Sequence, residues 1–267
     1  MAVAIVLAGG SGSRMNSDVA KQYIKLNDRE VLYYSLYTFQ KNENISRIIL
    51  VTRETDIEFC KNEIVAKYGF DKVSDVIAGG RERYNSVYNG IVKLAEYNKC
   101  SGDKDTDADL LYGKNDSNCD GIVLIHDGAR PFVTDEMIEA VIATVKECGA
   151  CTVGMPVKDT IKVVDENGFG IETPDRKTLW QIQTPQGFDL NLIKKAYDKM
   201  FDELEKETAT GTNHNITDDT MLVEQYNGVR SKIIYGAYEN IKITTPDDIK
   251  TAKIFVENFL KKNEKIS

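Results

Sequence analysis

Histidine is almost missing from this chain. His126 and His214 are its only two, and they lie far apart in sequence. With a single C-x-x-C, Cys148-Gly149-Ala150-Cys151, they make a poor zinc site. That C-x-x-C is expected to close a helix and precede a strand, which puts the helix dipole on the wrong side to depress a thiol pKa. Cysteine is sparse too. Five thiols, an odd number in a chain without an export signal, read as reduced and structural. The apolar start has no basic region before it and runs into glycines, so it does not read as a secretory signal. No apolar run approaches the length of a membrane span. A cytoplasmic location is therefore the expectation. Excess positive charge is also absent. Lys and Arg total 34 against 42 Asp and Glu, a net charge of −8. That argues against a nucleic-acid partner and requires any anionic substrate to be drawn in by a local cluster of cations.

What remains is ordinary for a globular protein: 42% hydrophobic and 28% charged residues over 267 positions. The length suits one large α/β domain spanning 1–267. Ala2 to Leu7 is an apolar run short enough for a buried parallel strand. Gly9, Gly10 and Gly12 then strip side chains from the turn, so backbone N–H groups can approach an anion closely, and Arg14 and Lys21 stand beside it. A glycine-rich turn with two cations is a phosphate cradle. It is not a Walker loop, because Gly12-Ser13-Arg14 lacks the closing Gly-Lys-Ser/Thr. Nor is it a dinucleotide fingerprint, because Met15 stands where the third glycine is needed.

Further along, helical spacing over Val31–Gln40, Asp56–Tyr68 and Arg83–Glu96 alternates with strands at Ile45–Thr52, Val73–Ala78 and Gly121–Ile125. Such alternation predicts a mostly parallel sheet with helices on both faces and ligands at the carboxyl ends of the strands. The polar segment 98–120 reads as a surface insertion. Its Asp103-Lys104-Asp105-Thr106-Asp107 run fails as a calcium loop, since Ala108 replaces the turn glycine and Lys114 the closing Glu. The Gly121–Ile125 strand delivers Asp127 towards the cradle, where a carboxylate could hold Mg2+ or pair with Arg130. Cys151 to Val157 reads as another strand. The alternating residues after Lys158, followed by Asn167-Gly168, predict a β-hairpin that projects as an arm over about 159–175 and needs a partner to cover it. Asp189–Glu205 and the segment opening at Ile216-Thr217-Asp218-Asp219 read as helices. Val229–Tyr235 and Asn240–Thr244 read as late strands, and Thr245-Pro246 as the start of a final helix.

The loop LAGGSGSRM, with Ala20-Lys21-Gln22 after it, resembles the signature loop of the sugar- and polyol-phosphate nucleotidyltransferases, which wraps a nucleoside triphosphate. With GGRERYNSV, HDGARPF, VKDTIK, DRKTLWQIQTPQGF, ITDD and NIKIT in fixed order, the chain resembles the 2-C-methyl-D-erythritol 4-phosphate cytidylyltransferases. That resemblance implies a Rossmann-like α/β sandwich and transfer of CMP from CTP to a polyol phosphate with Mg2+ as cofactor. It implies that Ala8, Gly9, Gly10, Ser11, Gly12 and Ser13 cradle the nucleotide, with Gly80 and Ser86 lining the cytidine pocket. Arg14 and Lys21 would stabilise charge at the α-phosphate, and Asp127 would ligate Mg2+. Arg130, Thr160, Thr184, Thr217, Lys242 and Arg176 would surround the second substrate, with Arg176 reaching across a homodimer from the arm.

Two features depart from that pattern. Arg81 stands where the family often carries an acid after Gly-Gly, so the resemblance does not extend to a ribose contact from that side chain. Leu7-Ala8-Gly9-Gly10 is shared with the ribitol 5-phosphate cytidylyltransferases, the alternative family, which usually lack the block present here as Asp175-Arg176-Lys177-Thr178-Leu179-Trp180. A nucleotide-binding module without turnover is the non-enzyme alternative, and the presence of Lys21, Asp127 and Lys242 speaks against it.

Overall fold

The computed structural model describes residues 1–10, 19–100, 121–207 and 216–264. Along the chain it runs β1 (Ala2–Leu7), a small ribbon of β2 (Lys25–Leu26) and β3 (Arg29–Glu30), α1 (Val31–Lys41) and β4 (Ile45–Thr52). A helical stretch follows, with α2 (Ile57–Phe59) and a π-helical segment Cys60–Ala66, then β5 (Val73–Ala78) and α3 (Arg83–Cys100). Next come β6 (Ile122–Asp127), α4 (Asp135–Cys148), β7 (Ala150–Pro156), β8 (Val163–Val164), β9 (Gly170–Glu172) and β10 (Trp180–Asp189). The chain closes with α5 (Leu190–Glu207), α6 (Asp219–Asn227), β11 (Lys232–Tyr235) and α7 (Pro246–Glu264).

β1 organises the rest. Its residues are apolar on both faces because both faces are covered. Val3 and Ile5 pack into one core, and Ala2, Ala4 and Val6 into the other, as the two-residue period of a strand requires. The first core lies under α3, α5 and α6, where Val87, Ile193 and Leu222 are fully buried. The second lies under α1, α4 and α7, with Leu36, Val141 and Val256 equally buried. Each such side chain contributes about 1.5–3 kcal/mol relative to exposure.

Seven strands form one sheet in the order β11-β7-β10-β6-β1-β4-β5. β1 is parallel to β4 and β6, β4 to β5, and β11 to β7; β10 runs antiparallel to β6 and β7. The sheet is thus mostly parallel, as the βα alternation predicts. Gly9-Gly10, Gly79-Gly80 and Gly128 all follow the carboxyl ends of their strands. Register places Leu7 opposite Asp127, so β1 and β6 end side by side.

The segment after β11 departs from the sequence reading, and β10 has no counterpart in it. The sequence pattern assigns no element to residues 180–189, which contain Thr184-Pro185-Gln186-Gly187, yet they form a full strand between β6 and β7. The ladder is shifted between Ile182 and Gln186, so the proline sits in a bulge where its missing N–H costs no pairing. Conversely, Asn240–Thr244 is not a strand. Its alternation reflects an extended crossing segment whose backbone is satisfied elsewhere: Asn240 O accepts from Arg130 Nη1 at 2.8 Å, and Ile243 N–H donates to Ala129 O at 2.9 Å.

The expected hairpin is present as β8 and β9, which among the described residues pair only with each other. Asp165 Oδ1 accepts from the N–H groups of Asn167 and Phe169, and Gly168 turns with φ 84°, a conformation glycine adopts freely. The segment 98–120 begins inside the last turn of α3, and its remainder lies outside the described residues. Cys148 ends α4 and β7 begins at Ala150, as expected of the C-x-x-C; burial pushes the Cys151 thiol up to about 12. Among the described residues no helix is long and apolar enough to cross a membrane.

Candidate active site

Two clefts open at the carboxyl ends of β1, β5 and β6. The first, about 340 Å³, is lined by Ala8, Gly9, Gly10, Lys21, Gly80 and Ser86, with Arg83, Asp127 and Lys242 at its inner end. Lys21 is held there by the residues behind it. It starts a short 3-10 turn; Gln22 Nε2 donates to Ala8 O, and the Tyr23 hydroxyl lies 2.7 Å from Thr52 Oγ1. The turn is thereby stapled to the end of β1, and the stem of Lys21 runs beside Gly10. At the far end, Gly80 N–H donates to Ser86 Oγ at 3.1 Å, and a Cβ on Gly80 would lie 2.2 Å from Asn85 Cβ. Only glycine fits this close approach. Arg81, the departure from the family pattern, projects into solvent with Glu82 as an ionic neighbour at 3.8 Å.

The second cleft, about 290 Å³, is lined by Arg130, Thr184, Gln186, Thr217 and Asp218 and shares Arg83, Asp127 and Lys242 with the first. Asp127 sits at this junction, enclosed by Lys242 Nζ at 2.8 Å, Arg83 Nε at 3.5 Å and Arg130 Nε at 3.8 Å. Burial pushes its carboxyl up, but the charges of Lys242, Arg83 and Arg130 overcome that and hold it well below the usual carboxylate range. Asp127 is an anion at neutral pH.

His126, the neighbouring residue, is fully buried, and desolvation pushes it down to about 4. Its Nε2 faces Arg130 O at 3.1 Å, a group that only accepts, so Nε2 carries the proton and Nδ1 accepts from the Thr184 hydroxyl at 3.0 Å. Thr184 Oγ1 in turn accepts from Asp127 N–H at 3.0 Å. This relay fixes the backbone that carries Asp127.

The structure therefore brings together Ala8, Gly9, Gly10, Lys21, Gly80 and Ser86 in one cleft, Arg130, Thr184 and Thr217 in the other, and Asp127 and Lys242 in both. Ser11, Gly12, Ser13 and Arg14 lie outside the described residues. Thr160 and Arg176 line neither cleft of their own chain: both are exposed on the arm, where Arg176 Nη1 donates to Lys158 O at 2.9 Å. Arg83 went unnoticed in the sequence although it is the second arginine of Gly79-Gly80-Arg81-Glu82-Arg83. Its partner Asp219 was hidden by reading Asp218-Asp219 only as a helix start. Asp218 alone fills that role, accepting from Met221 N–H at 2.8 Å.

Among the described residues no cluster of three or more His, Cys, Asp or Glu could hold a metal by itself. Asp127, an ionised carboxylate enclosed by three cations beside the glycine turn, would fit Mg2+ only with substrate phosphates to share it, since this hard cation keeps several waters and is bound through one or two carboxylates plus substrate phosphates. A triphosphate would supply the remaining donors.

Comparison with known proteins accords with this geometry. The family model of 2-C-methyl-D-erythritol 4-phosphate cytidylyltransferase matches residues 2–106 and 109–258. A protein of that name from Lachnospira eligens is 43% identical over 257 residues, covering 96% of this chain and 100% of its own. Among solved structures, 4-diphosphocytidyl-2C-methyl-D-erythritol synthase from Anaerococcus prevotii superposes with a TM-score of 0.72 at 31% identity, covering 96% of each chain. The 2-C-methyl-D-erythritol 4-phosphate cytidylyltransferase of Francisella tularensis superposes with a TM-score of 0.67 at 28% identity, covering 94% of this chain and 97% of its own. These relatives carry the methylerythritol name rather than the ribitol one, and the chain belongs to the 2-C-methyl-D-erythritol 4-phosphate cytidylyltransferase family.

Proposed function

We propose that this chain transfers CMP from CTP to the phosphate of 2-C-methyl-D-erythritol 4-phosphate, releasing pyrophosphate, as a step of isoprenoid precursor synthesis. The observation that carries this reading is the junction: two polar clefts meet at Asp127, Lys242 and Arg83, so a triphosphate in one and a phosphorylated polyol in the other would have their phosphates side by side. An oxygen of the polyol phosphate attacks the α-phosphorus of CTP, a P–O bond forms, and the α–β bridge breaks with its electron pair leaving on pyrophosphate. A substrate phosphate is already a competent nucleophile at neutral pH, so the site needs neither a general base nor a covalent enzyme intermediate.

The obstacle is repulsion between two anions, and fixed cations lower it by positioning and charge stabilisation. Lys21 serves the nucleotide side with Arg14, and Lys242 the incoming phosphate with Arg130 and Thr217. Gly80 and Ser86 form the end of the nucleotide cleft where the cytidine is received. Asp127 would hold Mg2+ together with the triphosphate; the ion, when bound, neutralises phosphate charge. The arm, about 159–175, exchanges between two copies of the chain and delivers Arg176 and Thr160 to the partner's second cleft, making the active unit a homodimer of single-domain chains. Its exposed apolar residues support this, since Val164, Phe169 and Ile171 are 53%, 72% and 68% exposed.

Pyrophosphate release on mixing the protein with CTP, methylerythritol phosphate and Mg2+ tests the reading. Release that requires all three and stops in excess chelator supports it. No release, or release without the polyol phosphate, contradicts it.

A further inference from the structure

Among the described residues Arg83, Asp127 and Lys242 line both clefts; Asp127 and Lys242 have roles in the proposed reaction and Arg83 has none. Arg83 is not a loose surface charge. Its Nη2 lies 2.7 Å from Asp219 Oδ2, and its Nε 3.5 Å from Asp127 Oδ1. Asp219 is fully buried; its Oδ1 accepts from the Tyr197 hydroxyl at 2.6 Å, and its N–H donates to Gln186 Oε1 at 3.0 Å. Tyr197 is fully buried in α5, and Gln186 lies on β10 beside the strand that carries Asp127. Three separate elements thus stand behind one guanidinium.

Neutralising buried Asp219 would need only one cationic contact. The arrangement does more, because the planar fork of an arginine spans two carboxylates in a fixed geometry that a lysine cannot reproduce. The terminal torsion of an aspartate is broad, so the rotation of its carboxylate must be set by its partners. At Asp127 one oxygen meets the anchored guanidinium. The other, Oδ2, faces the flexible, partly exposed side chain of Lys242 and, at 3.8 Å, Arg130 Nε.

We propose that Arg83 is a positioning residue: clamped from behind by Asp219 and Tyr197, its guanidinium fixes the rotation of the Asp127 carboxylate, the group that would hold a metal ion together with the triphosphate. The inference rests on Asp127 being the metal ligand. Partners of this kind, one shell beyond a metal's own ligands, set ligand orientation, and losing one typically costs about 10-fold to 100-fold in metal affinity.

The test is the affinity of the enzyme–CTP complex for Mn2+, read by electron paramagnetic resonance without the polyol phosphate so that no turnover occurs. Arg83→Lys and Asp219→Asn should each weaken Mn2+ by about 10-fold to 100-fold, and Tyr197→Phe should weaken it in the same direction by less. CTP affinity of Asp219→Asn and Tyr197→Phe without metal should stay at the unmodified value, a split that a merely structural role would not produce. If Asp219→Asn does not fold, Arg83→Lys and Tyr197→Phe still decide the matter. Folded variants with unmodified Mn2+ affinity overturn the proposal. Asp127→Asn separates the two levels. If it leaves Mn2+ binding intact, the metal assignment fails and this inference with it. If it abolishes binding while Arg83→Lys and Tyr197→Phe do not weaken it, only the positioning role fails.

Discussion

Lys242 Nζ lies 2.8 Å from Asp127 Oδ2 across the line where the two clefts meet, which joins the end of β6 to a segment more than a hundred residues later. The pair forms because residues 240–244 cross the sheet end as irregular chain rather than adding a strand. Asn240 anchors that crossing: its Nδ2 donates to Thr184 O at 2.9 Å and its carbonyl accepts from Arg130. Lys242→Ala would leave Asp127 with Arg83 and Arg130, so the fold survives and the phosphate contact is lost. Turnover should fall on the order of 10²–10³-fold, with a melting temperature close to that of the unmodified protein. Near-normal kcat in this variant would remove Lys242 from the reaction.

Lys21 and Arg14 are assigned to charge that develops during attack rather than to ground-state binding. Lys21→Ala and Arg14→Ala should therefore lower kcat by on the order of 10²–10³ while weakening CTP binding far less. Steady-state kinetics beside a direct CTP titration distinguishes the two effects. A loss confined to KM for CTP would make the loop a binding device only.

The parallel half of the sheet was legible in the sequence because β1 is an apolar run and β4 and β5 are short Val- and Ile-rich segments alternating with helical patterns, and the glycine turns that follow β1 and β5 line the first cleft. β10 was hidden because Pro185 and Gly187 usually break strands, and only a bulge between two partners accommodates them. Asn240–Thr244 misled in the opposite sense, since alternation reports an extended chain and not its hydrogen-bond partners. Asp127 and Lys242 could be named from motifs. Arg83 could not, because its importance comes from Asp219 and Tyr197, over a hundred residues away in sequence and brought near by α5 and α6.

His126 predicts an acid-sensitive fold. Burial holds it neutral down to about pH 4 in the folded chain, whereas an unfolded histidine protonates near 6.5. The unfolded state therefore binds more protons between those values, and stability rises with pH across that window. The sign is opposite to that of a histidine gaining an anionic partner. Thermal melts from pH 6.5 down to pH 4 should lose on the order of 3 kcal/mol from this group. His126→Gln, which keeps a donor for Arg130 O, should flatten that part of the slope; an unchanged slope would assign it elsewhere.

The arm gives a prediction about assembly. Deleting residues 159–175 should yield monomers with little activity, because it removes the exposed Phe169 and Ile171 and the segment that positions Arg176. Light scattering coupled to size exclusion reads the mass directly. An active monomer would show that each chain completes its own site.

Substrate choice is the most direct test of the central claim. Methylerythritol phosphate and ribitol phosphate share a phosphate, so Lys242 cannot separate them. A bidentate contact from Arg176 to the phosphate, setting where the polyol lies, can do so, because the wrong substrate leaves buried polar groups unpaired. The measurement is kcat/KM for both polyol phosphates with CTP, on the unmodified enzyme and on Arg176→Lys. The account predicts a clear preference for methylerythritol phosphate that Arg176→Lys sharply reduces despite its retained charge. A preference for ribitol phosphate would contradict it.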